Sequence, residues 1–283
     1  MTPQLRRFWT TLAFLASSAP LVAQGVVVAP QGVFIDDRVR GGSLELYNPG
    51  AEPVDVTVGT AFGYPTSDSL GATVLELVEG ADTTGRSAAA WLEAFPRRLI
   101  LQPHERQTVR LLARPPRGLH DGEYWARLVV TARGGSVPVA GVPDSGAVRV
   151  ALTLEVRTII AALYRKGAVA TGVALSAVRA EHAGDSLRIV GRFVRRGNAA
   201  YIGTARVGLV NAAGKEVAAV DRPIAVYYEL APAFALPAAG LAPGTYTLRL
   251  EAVTERADVA GAALLRSTPA RTDLIVVIPP QGR

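Results

Sequence analysis

The chain contains no cysteine, so its 283 residues must be held together by burial and hydrogen bonding, and disulfides and thiol chemistry are excluded. Histidine is scarce. His104, His120 and His182 lie in turn-like contexts without a second histidine at ligand spacing, so no zinc site is expected. Lysine is nearly absent: Lys166 and Lys215 stand among arginines, and no basic stripe interleaved with aromatics is present for a nucleic acid to follow. Long apolar runs are missing too. The stretch 8–16 is short and broken by threonine, and no later segment approaches the roughly 20 apolar residues of a membrane span. There is no Gly-x-Ser-x-Gly elbow, phosphate loop or dinucleotide fingerprint. The acidic pairs Asp36-Asp37 and Asp121-x-Glu123 read as solvated turn caps and not as a calcium site. The expectation is a chain without metal, cofactor or catalytic activity.

Arg6-Arg7, the short apolar stretch behind them and the small residues leading to Ala23-Gln24 have the form of an export signal over residues 1–24, removed from the mature chain. The net charge of +6 includes both of those arginines and falls by two on their removal. The mature chain is expected to be soluble, with no integral membrane segment after cleavage. Turn residues recur at short intervals and amphipathic helices are scarce, with only 87–94 locally helical, so the fold class expected is all-β.

Strands are expected at 26–35, 43–47, 54–60, 74–77, 107–113, 124–132 and 148–160, with 64–90 a loop carrying one short strand. Seven strands fit one immunoglobulin-like sandwich. The pattern restarts after Lys166-Gly167, with strands expected at 169–178, 186–195, 202–211, 215–220, 223–227, 245–252 and 272–278 and a hairpin turn at Asn211-Ala212-Ala213-Gly214. The chain is thus read as residues 1–24 signal, 25–165 first sandwich domain and 166–283 second. Two immunoglobulin-like β-sandwiches in tandem, joined by so short a linker, would sit at an angle, L-shaped, with a cleft between them. Tyr124 after Asp121-Gly122, and Tyr246 after Leu241-Ala242-Pro243-Gly244, each suit a tyrosine corner. Trp125 is the neighbour of Tyr124, and strand alternation sends the two rings to opposite faces, which puts one of them near the surface. The aromatics at strand positions are read as core and corner residues and not as a carbohydrate groove.

The order Ser43-Leu44-Glu45-Leu46-Tyr47-Asn48-Pro49-Gly50, Trp91, Pro96, Leu101-Gln102-Pro103 and Gly122-Glu123-Tyr124 resembles the N-terminal domain of the periplasmic pilus-assembly chaperones, the PapD-like family, over roughly residues 26–165. The resemblance implies a periplasmic chaperone for pilus or fimbrial subunits. Its partner would be an exported pilin-type subunit, with an outer-membrane usher as a second partner. In that family the last strand of the first domain is lent to an unfinished subunit sandwich. Here that strand is the alternating run Val148, Val150, Leu152, Leu154 and Val156, which carries no proline or lysine to protect its edge.

The family also holds the subunit's terminal carboxylate with two cations, one on the first strand and one late on the last. Arg157 falls at the second position, and Gly32 stands where the first is expected. An ordinary half-buried strand with a solvated Arg157 is the plainer reading of the same residues. The alternative function is an exported immunoglobulin-like adhesion or scaffold protein that donates no strand.

Overall fold

The computed structural model describes residues 25–80, 82–136 and 153–280. The chain runs through β1 (Val27–Ala29), β2 (Gly32–Asp36), β3 (Gly41–Tyr47), β4 (Val54–Ala61), β5 (Gly63–Ser67), β6 (Thr73–Leu77), β7 (Leu92–Phe95), β8 (Arg98–Leu101), β9 (Arg106–Ala113), β10 (Gly122–Ser136) and β11 (Thr153–Lys166). It continues through β12 (Thr171–Ala183), β13 (Ser186–Gly197), β14 (Tyr201–Val210), β15 (Glu216–Val226), β16 (Glu229–Leu230), β17 (Ala233–Pro237), β18 (Gly244–Val253) and β19 (Ala270–Ile278), with one 3₁₀ turn at Gly261–Ala263.

Alternation of apolar and polar residues builds two separate cores. In the first sandwich the sheet β1-β3-β9-β7 faces the sheet β2-β11-β10-β4-β8. Between them Leu44, Leu46, Val56, Leu101, Val109 and Leu128 are fully buried. In the second, β12-β13-β16, with β17 also on β13, faces β15-β14-β18-β19 over Leu187, Ile189, Phe193, Val207, Leu209 and Leu250. Asn48 locks a turn of the first sandwich. Its buried side-chain amide donates to the carbonyls of Glu52, Leu101 and Gln102 at 2.8, 3.1 and 3.2 Å and accepts from Gly50 N at 2.9 Å.

Both tyrosine corners form. Tyr124 Oη donates to His120 O at 2.9 Å, and Tyr246 Oη donates to Ala242 O at 2.8 Å. The hairpin at Asn211 also closes as expected, with Asn211 N bonded to Lys215 O.

Several elements differ from the expectation. The strand expected at 26–35 is two strands, because β1 pairs with β3 in one sheet and β2 pairs with β11 in the other, with Pro30 and Gln31 crossing between them. The helical stretch at 87–94 is a single turn, Leu92 N to Ala88 O, after which Leu92 and Ala94 point into the core from β7. The two strands expected at 215–220 and 223–227 are one, β15. It lies at a sheet edge, so the amide hydrogen that Pro223 lacks is not missed by a neighbour. The loop expected at 64–90 contains the hairpin β5–β6, and its tip packs on the second sandwich. There Ala233 N donates to Gly71 O at 2.8 Å and Arg188 Nη2 donates to Leu70 O at 2.8 Å.

Candidate partner-binding site

The strand that the sequence singles out is paired unequally on its two sides. β11 is paired with β10 from Glu155 opposite Arg133 to Lys166 opposite Gly122, and again at Thr153 opposite Ser136 beyond an irregularity in register. On its other side β2 covers only Ala161 to Arg165, in parallel register with Gly32 to Asp36. Residues 154–160 therefore present a free backbone edge among the described residues. Ile160, Ala162 and Tyr164 belong to the first core, and Leu154 and Val156 continue the same face half-buried toward the end of the sandwich. Val148, Val150 and Leu152 lie outside the described residues.

Arg157 points to the opposite face and is exposed. Its Nε donates to Glu155 at 2.7 Å, and Glu155 also accepts from Arg133 Nε at 2.7 Å. These bonds, Arg133's first, hold the Glu155 carboxyl below its ordinary pKa.

The other face of β10 and β11 meets the second sandwich. Trp125 is 0% exposed, which corrects the expectation that one of the two neighbouring rings lies near the surface. Tyr124 packs in the first core, and Trp125 is covered by Tyr227 and Tyr228, with ring centroids 4.8 and 5.3 Å away. Glu123, also fully buried, ties the joint together. It accepts from Trp125 Nε1 at 2.9 Å, from Ala200 N at 3.0 Å and from Arg165 Nε at 2.7 Å, and Arg165 Nη1 reaches Ala263 O at 2.7 Å. Gly167 makes the sharp exit from β11 with φ of 59°, and a Cβ there would collide with the Asp121 carboxylate at 2.0 Å.

Beside this joint is a cavity of about 390 Å³. Its walls come from both sandwiches: Gly32 and Phe34 of β2, Ala161 and Leu163 of β11, Arg127 of β10, and Tyr227. Arg157 does not line it. Sequence reasoning passed over Arg127, although alternation along β10 places it two residues after Trp125 on the same outward face. The missing information was that a second sandwich covers that face. Among the described residues no group of three or more His, Cys, Asp or Glu side chains is placed to hold a metal ion, and no helix is long and apolar enough to cross a membrane.

Fold and site together define a tandem immunoglobulin-like β-sandwich protein in which, among the described residues, part of β11 is left unpaired on one side, with a cavity at the joint. No family model and no curated protein matches the chain. Among solved structures it is similar to the YadV chaperone, at 15% identity over 87% of this chain and 99% of that one, with a TM-score of 0.46. The E. coli chaperone DraB matches at 14% identity over 89% and 95%, with a TM-score of 0.42. The CsuC–CsuE complex of a chaperone with a tip adhesion subunit, from Acinetobacter baumannii, matches at 11% identity over 90% and 98%, with a TM-score of 0.44. At such identities and scores the likeness carries no argument about function.

Proposed function

We propose that this chain is a periplasmic chaperone for pilus or fimbrial subunits. Residues 1–24 direct export and are removed, and 25–165 and 166–283 are its two folding units. The free edge of β11 receives an incomplete subunit sandwich. The observation that carries this reading is the half-paired state of residues 154–160: among the described residues nothing pairs with their backbone on one side, while Leu154 and Val156 keep a continuous apolar face. A second chain that adds a strand there gains generic backbone pairing, and alternate side chains supply register and burial. Val148, Val150 and Leu152 extend the same alternation upstream. The outer-membrane usher is the second partner proposed, as the destination of the loaded subunit.

The test is co-expression with an exported pilin-type subunit that lacks its own final strand. Fully burying each apolar side chain contributes about 1.5–3 kcal/mol, so Leu154→Ser with Val156→Ser should weaken the complex at least about tenfold. The expected outcome is a subunit that is degraded or aggregates beside a double variant that keeps most of its melting temperature. A stable double variant that still protects its client would remove strand lending by this segment and favour the non-donating adhesion or scaffold protein, whose mark is persistent self-association.

A further inference from the structure

The chain passes from one sandwich to the other once, between β11 and β12. A single link beside a single packed cluster leaves rotation about the joint to be fixed by a contact elsewhere. The hairpin β5–β6 supplies one. Its strands pair only with each other, and its root belongs to the joint, where Tyr64 meets Tyr228 edge to face with ring centroids 4.8 Å apart. Its tip is anchored on the second sandwich. Ala231 N donates to Ser67 Oγ at 2.9 Å, Ala233 N to Gly71 O at 2.8 Å, and Arg188 Nη2 to Leu70 O at 2.8 Å. The tip is shaped by its own bonds: the Asp68 carboxylate accepts from Leu70 N at 2.9 Å and from Ala72 N at 2.8 Å, and Gly71 turns with a φ of 80°. Arg188 is well away from the joint. It stands on β13 with Arg195, whose guanidinium lies over the Trp125 ring, and at about 3.3 Å per residue the two are about 20 Å apart along the strand.

We propose that the hairpin β5–β6 is a releasable brace: docked, its tip fixes the angle between the sandwiches, and undocked, it lets them turn about the joint while both cores stay folded. The tip holds the second sandwich far from the pivot, so it resists rotation with a longer lever than the ring cluster at the joint. It is also the weaker attachment. All five residues of β6 are exposed and Leu70 is 74% exposed, so docking buries little apolar surface, whereas Trp125, Leu163 and Tyr227 at the joint are fully buried. A segment held by a few hydrogen bonds over little burial opens before a packed core does. Those bonds are made or lost within a fraction of an ångström, which gives the brace two distinct states. Pro65 of β5 and Leu75 of β6 line the joint cavity, so release of the tip also changes the cavity wall. The brace stands apart from strand lending, which lies at the edge of β11.

The experiment reads the angle directly. Because the chain has no cysteine, Thr108→Cys on the first sandwich and Ala213→Cys on the second, both exposed positions, take spin labels without background. Pulsed dipolar spectroscopy on the full mature chain then gives the distribution of distances between the sandwiches. Gly71→Ala is the probe, since a Cβ there stands 2.6 Å from Ala233 Cβ and 2.7 Å from Ala233 N and forces the tip off its seat. Gly80→Ala is its control, with the same kind of backbone strain at a φ of 88° and nothing within 4 Å to collide with. Arg188→Met removes one donor without altering the hairpin. Gly71→Ala should widen the distance distribution at least about twofold, with Arg188→Met between it and the parent, Gly80→Ala like the parent, and circular dichroism unchanged in all three. Broadening by Gly71→Ala beside a parent-like Arg188→Met supports the brace and assigns its hold to the Ala233 contact. A Gly71→Ala distribution that superimposes on the parent's overturns the proposal, and so does equal broadening by Gly80→Ala, which would trace the effect to turn strain and not to docking. If Gly71→Ala does not fold, Arg188→Met decides alone: broadening supports the brace and a parent-like distribution overturns it.

Discussion

Trp125 of the first sandwich and Tyr227 of the second meet edge to face, their ring centroids 4.8 Å apart and their planes at 68°. The contact explains how two adjacent aromatics on one strand are both buried. Tyr124 and Trp125 leave β10 on opposite sides, and each side has a core to enter, the sandwich's own on one and the inter-sandwich cluster of Phe62, Trp125, Leu163, Ala200 and Tyr227 on the other. The beginning of β10 is thus covered on both faces, and the joint is packed like an interior.

Removing the larger ring should uncouple the halves. Trp125→Ala opens a cavity in that cluster, at a cost of about 3–5 kcal/mol. Calorimetry of the variant should resolve two thermal transitions, one per sandwich, where the unaltered chain shows stronger coupling. A variant whose melting profile superimposes on the parent's would mean that the joint contributes little.

The buried Glu123–Arg165 pair should behave as a unit. Glu123→Gln leaves the Arg165 guanidinium beside a neutral amide and should cost about 3–5 kcal/mol in urea unfolding. Adding Arg165→Met should cost less than the sum of the two single changes, because the second substitution removes the charge stranded by the first. Strict additivity would show that the contact at 2.7 Å carries no coupling.

The two tyrosine corners are in different cores and should be independent. Tyr124→Phe and Tyr246→Phe each delete one hydroxyl-to-carbonyl bond, for about 1 kcal/mol apiece, and their effects should add. A corner whose loss is unmeasurable by urea denaturation would be a spectator of its turn.

Local chemistry was the legible part of this sequence. A tyrosine four residues after a turn carbonyl, an asparagine before Pro-Gly, and period-two alternation state their own structures, and the corners, the Asn48 turn and most strands result from them. Structure that depends on a distant surface was not legible. The fate of Trp125 and the role of Arg127 are set by the second sandwich, and nothing near residues 125–127 announces it. The hairpin β5–β6 was hidden for a similar reason, since Gly63, Pro65, Thr66 and Ser67 have loop composition and gain order by pairing with β6 and docking near Ala233. Arg157 shows the limit of parity: alternation placed it correctly opposite the apolar face, on the side of β11 from which Ala161 and Leu163 line the cavity, but it stands too far along the strand to reach the cavity and its guanidinium is bonded to Glu155.

The contact between Tyr164 and Asp37 gives the fold a dependence on acid. Tyr164 Oη donates to the Asp37 carboxylate at 2.5 Å. That bond is the main cause lowering the Asp37 pKa, while burial first, and then the same bond, raise the pKa of the tyrosine. At neutral pH the carboxylate is charged and the phenol is neutral. The folded pKa of Asp37 lies below its unfolded value of about 3.9, so the stabilisation is fully present above that value and is lost as pH falls through the folded value. Tyr164→Phe removes the donor and should raise the Asp37 pKa toward its ordinary value, leaving Arg40 to hold it down. The difference in urea midpoint between the parent and Tyr164→Phe should therefore be constant from neutral pH down to about pH 5 and shrink steadily below about pH 4. Asp37→Asn should show the same loss of pH dependence. A Tyr164→Phe difference that stays the same down to pH 2 would mean that the lost hydroxyl acts only through packing, and that Asp37 does not report the acid sensitivity of this fold.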